Sequence, residues 1–157
     1  WRGEFITGDY GHDGLVPITS GVVGFNNQNE LVAGNFTLDI QNLSNIDLEG
    51  EVQKTLLDHL KSKDFFDTEN HPQATLNITS TEKIDNDWYS ITADLTIKDI
   101  SNSIQFQADI NQDQIKSMFN IDRTRWNINY ASGKFFDNLK DSAINDEIMF
   151  DILLELE

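Results

Sequence analysis

Along much of the chain apolar residues alternate with polar ones at a period of two, the arrangement of half-buried strands whose successive side chains point to opposite faces. Phe36, Leu38 and Ile40 alternate with Asn35, Thr37 and Asp39, and Ala74, Leu76 and Ile78 with Thr75, Asn77 and Thr79. The longest run sets Tyr89, Ile91, Ala93, Leu95 and Ile97 against Ser90, Thr92, Asp94, Thr96 and Lys98. Three more apolar faces follow: Ile104, Phe106, Ala108 and Ile110; Ile115, Ser117, Phe119 and Ile121; Ile148, Phe150, Ile152, Leu154 and Leu156. Turn-forming strings separate them at Asn26-Asn27, Asp85-Asn86-Asp87 and Asn111-Gln112-Asp113. The pattern predicts a mainly β fold, an antiparallel meander that either stacks as a sandwich or curls until its edges pair.

One segment breaks the rhythm. Between Glu51 and Lys63 the apolar residues fall at Val52, Leu56, Leu57 and Leu60, which is helical spacing, with Lys54, Asp58, Lys61 and Lys63 outside the stripe. This predicts a short amphipathic helix near residues 51–63, its apolar stripe resting on an open end of a barrel. Proline occurs only at Pro17 and Pro72, and no low-complexity stretch or repeat marks a boundary, so residues 1–157 read as one domain.

Composition narrows the function. The chain has 157 residues with 38% hydrophobic and 10% aromatic, enough for one core and too apolar for disorder. Acidic residues outnumber basic ones 27 to 11, a formal charge of −16 that repels phosphate backbones and anionic headgroups and so excludes nucleic acid as a partner. No stretch reaches the roughly 18 to 20 apolar residues of a membrane-spanning helix. Cysteine is absent, which removes disulfides, thiolate metal sites and cysteine nucleophiles.

Several strings are characteristic. His59 to Asp67 reads HLKSKDFFD, followed by Asn70-His71-Pro72-Gln73-Ala74-Thr75; Ala93 to Phe106 reads ADLTIKDISNSIQF; Asn120 to Asp141 reads NIDRTRWNINYASGKFFDNLKD. With GHDGLVPITSG from Gly11 and GNFTLDI from Gly34, they resemble the YceI-like family of bacterial proteins over nearly the whole chain. The resemblance implies an antiparallel lipocalin-like β-barrel of about eight strands around an elongated apolar cavity. It also implies non-catalytic binding, transport or storage of an isoprenoid lipid, such as a quinone or polyprenyl chain, in a periplasmic or secreted protein. Trp1-Arg2-Gly3 matches a pattern that in the family follows a strand, which leaves part of the first strand outside this sequence. Asp99 and Asn127 stand where glycine is common, Ser101-Asn102 where Thr-Lys is usual, and Leu76 where phenylalanine is frequent.

The inward apolar residues have two readings: they fill a narrow barrel, which then serves as a structural or interaction module, or they line a ligand channel. Under the family resemblance the expected lining is Phe36, Leu38, Leu56, Leu60, Phe65, Phe66, Leu76, Ile78, Ile91, Leu95, Phe106, Phe119, Ile121, Trp126, Tyr130, Phe150 and Ile152. Trp126 and Tyr130, four apart, share a face if their segment is a strand, and Trp88 belongs at a rim. Phe65 and Phe66 are expected to be mostly buried, and the similar Phe135, Phe136 and Asp137 to close another part of the barrel. A buried CH₂ contributes about 0.8 kcal/mol, so an isoprene unit gives about 4 kcal/mol, and a few units outweigh an association cost near 10 kcal/mol.

The head of such a ligand turns on the cations. Lys54, Lys61 and Lys63 flank the helix, while Arg123, Arg125, Lys134 and Lys140 lie around the IDRTRW string. If they meet at one mouth they suit a phosphate; if they are scattered, or tied up as in an ion pair between Asp122 or a neighbour and Arg123, a neutral head fits better. Enzyme signatures are missing: His12, His59 and His71 lack zinc-site spacing, no Gly-x-Ser-x-Gly or phosphate-binding glycine loop occurs, and Gly11, Gly14, Gly21 and Gly24 read as hairpin and bulge positions. No cofactor is expected, and an uncovered strand edge allows a homodimer.

Overall fold

The structure, a computed structural model, describes residues 1–111 and 113–156. Its strands are β1 (Arg2–Glu4), β2 (Gly11–Leu15), β3 (Ile18–Phe25), β4 (Leu31–Asp39), β5 (Ser44–Asn45), β6 (Gln73–Asp85), β7 (Trp88–Ile97), β8 (Ile100–Ile110), β9 (Gln114–Asp122) and β10 (Glu147–Glu155), with one helix, α1 (Gly50–Lys61). They form one curled antiparallel sheet in the order β3-β4-β6-β7-β8-β9-β10-β1-β2-β5.

Ten segments amount to eight strands, because two are broken. Only Val16 and Pro17 separate β2 from β3, and β5 resumes the course of β4, so the two broken strands pair twice, at Gly14↔Asn45 and Leu15↔Ser44 and again from Ile18↔Leu38 onward. Since β2 and β3 lie near opposite ends of the sheet order, the bend at Pro17 joins the ends and curls the sheet into a barrel. Gly14 permits this closure by close approach: a Cβ there would collide with the Ser44 carbonyl and the Trp1 indole. Gly11 and Gly21 likewise sit within strands against neighbouring chain, so the hairpin reading does not describe them, while Gly24 does flank a register shift.

The period-two runs become strands with the expected faces inward, and along β7 Tyr89, Ile91, Ala93, Leu95 and Ile97 are all buried. The β7–β8 connection is a two-residue turn with Lys98 and Asp99 both at positive φ, 50° and 59°. That mirror-image turn suits the sheet twist, and Asp tolerates the left-handed region better than most residues, which is how a position common to glycine accommodates Asp99. Asn111 caps its hairpin through the Asp113 and Gln114 amides; Gln112 of that turn string lies outside the described residues.

Two seams interrupt the wall. β8 and β9 pair only at Ala108↔Ser117, Asp109↔Lys116 and Ile110↔Ile115. Beyond them the strands splay, the Ser117 hydroxyl donates to the Gln107 carbonyl at 2.7 Å, and Phe106 stacks on Phe119 with centroids 4.5 Å apart. The second seam lies between β3 and the lower half of β10, since β1 meets β10 only at Arg2↔Met149.

The helix is shifted from the expected stripe. Gln53 donates to the Asn45 carbonyl at 2.9 Å, which turns Gln53, Leu56, Leu57 and Leu60 toward the barrel and leaves Val52 63% exposed. After Asp122 the chain leaves the strand: the carboxylate of Asp122 accepts from the Thr124 amide and hydroxyl and caps a 3₁₀ turn, Arg123–Trp126, which ends at Asn127 with φ 57°. Trp126 and Tyr130 therefore do not share a strand face. Trp126 is fully buried with its indole N–H on the Leu95 carbonyl at 3.0 Å, whereas Tyr130 is 41% exposed.

Candidate functional site

At the helix end the barrel holds a cavity of about 510 Å³, within the range of small-molecule sites, roughly 300–1,000 Å³. Its wall comes from β1, β2, β4, β6, β7, β9 and β10, its roof from α1, the segment carrying Phe65 and Phe66, and the loop between β9 and β10. The surface is almost wholly aliphatic and aromatic.

Of the residues expected to line a channel, Leu38, Leu56, Leu60, Phe65, Phe66, Leu76, Leu95, Phe119, Ile121, Tyr130, Phe150 and Ile152 stand on this wall. The other five lie elsewhere, for separate reasons. Ile78, Ile91 and Phe106 pack into the waist of the barrel, where the Phe106, Phe119 and Phe150 rings stack. Trp126 is consumed by the end packing described above. Phe36 faces a second opening of about 1,010 Å³ at the hairpin end, beside the β3–β10 seam. The two spaces share no lining residue.

The roof is aromatic. His59 meets Phe65 and Tyr130 edge-on, with centroids 5.0 and 4.4 Å apart, and Phe65 lies 5.4 Å from Tyr130. Phe65 is buried and Phe66 half-buried. Phe135 and Phe136 are 55% and 49% exposed, so the second Phe-Phe-Asp string does not close the barrel; it lies on the outer side of its loop. Trp88 is exposed at the hairpin end.

The cations do not gather at the mouth. Lys54 pairs with Asp58 on the outer face of α1 at 3.0 Å. Lys134 bridges Asp122 and Asp146 at 2.7 and 3.2 Å. The Arg125 guanidinium donates to the Ser103 carbonyl and lies over the Trp126 ring. Arg123 is the one lysine or arginine on the described cavity wall, and its side chain is 2% exposed. Its Nε donates to the Asn145 carbonyl, one terminal nitrogen to those of Ile128 and Tyr130, and the other to that of Ile144, at 2.7–3.1 Å. Four of its five N–H groups thus donate to carbonyls, and Asp146 Oδ1 stands 3.4 Å from the second terminal nitrogen as an ion-pair partner without a hydrogen bond. Burial pulls its pKa below the ordinary value against the pull of Asp146 and Asp122. The expected ion pair is thus redistributed, Asp122 going to Lys134 and Arg123 to Asp146 and four carbonyls, and Arg123 fastens the roof loop.

Sequence reasoning missed Trp1, Tyr10 and His12, which also line the cavity. His12 Nδ1 lies 2.9 Å from Asp47 Oδ2, and Asp47 is held by the Asp13 amide and the Asn45 side chain. Burial opposes the charged form of Asp47, but the hydrogen bonds from His12, Asp13 and Asn45 prevail and hold its carboxyl below the usual range. Their separation of 35 residues leaves no local signal. His71 pairs with Asp99 at 3.1 Å outside the cavity, and no metal-binding cluster of His, Asp or Glu occurs among the described residues. No described helix is long and apolar enough to cross a membrane.

A model of the YceI-like domain matches residues 6–156. The UPF0312 protein plu2095 of Photorhabdus laumondii is 31% identical over 85 residues, 49% of this chain and 44% of that protein. Protein YceI of Escherichia coli is 34% identical over 83 residues, 48% of this chain and 43% of that protein, so each match spans less than half of the relative. The crystal structure of BcnA from Burkholderia cenocepacia superposes with a TM-score of 0.75 at 18% identity, covering 99% of this chain and 94% of the other. A Campylobacter jejuni YceI protein follows at 0.68 and 20%, covering 92% and 85%. At these identities the likeness is one of fold.

Proposed function

This chain belongs to the YceI-like domain family, β-barrels that bind hydrophobic ligands, and on that footing we propose that it carries or stores an isoprenoid lipid in its helix-end cavity without catalysis. The carrying observation is an apolar cavity of about 510 Å³ under an aromatic roof. A space lined this way offers a long chain burial along its length and asks for no polar anchor. With no unsatisfied cation on the described wall, a neutral head is favoured over a pyrophosphate. Export to the periplasm or beyond is part of the same proposal.

The closed-core alternative, a barrel that serves only as an interaction module, fits the waist, where the Phe106, Phe119 and Phe150 rings stack. It does not account for the space above. Mass spectrometry of organic extracts from purified protein, together with fluorescence titration of a prenyl quinone, tests the proposal. A co-purified isoprenoid and saturable binding are expected; neither appearing would favour the closed-core module.

A further inference from the structure

The polar groups on the cavity wall are few, and one is oriented without being used. His12 lines the cavity from β2, near the rim formed by Glu4 and Tyr10. Its Nδ1 is fixed on the Asp47 carboxylate at 2.9 Å and its ring is met edge-on by Tyr10, centroids 4.8 Å apart. Among the described residues Nε2 has no hydrogen-bond partner, and it is not one of the buried polar atoms sealed from solvent. A carboxylate at Nδ1 keeps the proton on that nitrogen, so in the neutral ring Nε2 carries the lone pair. His12 thus brings a positioned acceptor to the cavity wall, beside the Glu4 carboxylate.

We propose that His12 is a specificity-determining contact: it accepts a hydrogen bond from a hydroxyl on the ligand head, so that the cavity prefers an isoprenoid alcohol or phenol over the same chain ending in an ether or ketone. The inference rests on the reading of this cavity as the site of an isoprenoid chain. Charge around the ring agrees with a neutral head. Asp47 adjoins His12 directly, and Glu4 and Asp13 share one cation, Arg2, at 3.5 and 2.7 Å. The rim is therefore net acidic and repels a carboxylate or phosphate.

The test compares farnesol with farnesyl methyl ether, which have the same chain and differ in one donated proton, by fluorescence titration at pH 8. The alcohol is expected to bind roughly three- to tenfold tighter, the range of one neutral hydrogen bond. His12→Phe removes the preference by weakening the alcohol more than the ether, while His12→Gln, whose amide oxygen reaches the place of Nε2, keeps part of it. Equal affinity of the native protein for both ligands overturns the inference, as does equal weakening of both by His12→Phe and His12→Gln. If neither ligand binds, the chain reading falls first and the head contact with it; ether binding without alcohol preference sinks the head contact alone.

Discussion

Replacing Arg123 by methionine keeps most of the volume and removes every donor, which makes it a direct probe of how the cavity roof is fastened. The guanidinium serves the carbonyls of Ile128, Tyr130, Ile144 and Asn145 and the carboxylate of Asp146, all at the base of the loop between β9 and β10. One buried acceptor left unpaired costs about 1–3 kcal/mol. Four at full cost set an upper bound near 4–12 kcal/mol, and water entering as the loop relaxes recovers much of it. We expect a loss of about 3–5 kcal/mol, the usual result of removing one partner from a buried ion pair. Against a total stability of about 5–15 kcal/mol this is severe but measurable. Urea unfolding at pH 7 reads it: with a slope near 2 kcal/mol/M the midpoint falls by roughly 2 M. Arg123→Lys separates charge from geometry, because lysine keeps the charge opposite Asp146 but offers three donors from a single point. It should recover less than half of the loss. A methionine variant within about 1 kcal/mol of the native protein, or a lysine variant equal to it, would refute the four guanidinium hydrogen bonds as the roof's fastening.

Four more outcomes can be checked. Asn127 holds φ 57° at the end of its 3₁₀ turn, so Asn127→Ala should lower stability by about 1 kcal/mol and Asn127→Gly should not, as read by thermal melts. Burial raises the Asp122 pKa, yet hydrogen bonds from Lys134 and Thr124 outweigh it and the folded value is depressed. Its contribution is present above the ordinary carboxylate range and is lost as pH falls through the folded value, so Asp122→Asn should flatten the decline of stability below about pH 4. Leu60→Trp drives a large side chain from α1 into the cavity and should abolish titratable prenyl quinone binding while far-UV circular dichroism stays native; unchanged binding would count against the site. Gly14→Ala forces Ser44 and Trp1 apart and should cost about 2 kcal/mol or more in urea unfolding.

The strands were readable because alternation reports directly on which face is buried, and β7 obeys it along its whole length. Phe65 illustrates a limit: nothing local distinguishes it from Phe135, and only the arrival of His59 and Tyr130 from elsewhere buries one and not the other. Trp126 and Tyr130 were misplaced by assuming the strand continued, although Asp122 with Thr124 two residues later is a turn signal in its own right. The stacking at the waist joins rings from three strands, and the His12–Asp47 contact joins segments far apart in the chain. Neither has a periodic signature.

The helix over the cavity contains no fully buried residue, and it is tied down by the half-buried face of Leu56, Leu57 and Leu60, by the His59 ring against Phe65 and Tyr130, and by one hydrogen bond from Gln53. Segments with so little buried contact open at a small fraction of the global unfolding free energy. On the proposed function the time a guest would spend inside is governed by the apolar surface it must show to water on leaving. Longer chains should enter at similar rates and leave more slowly, which makes residence time a measure of guest length.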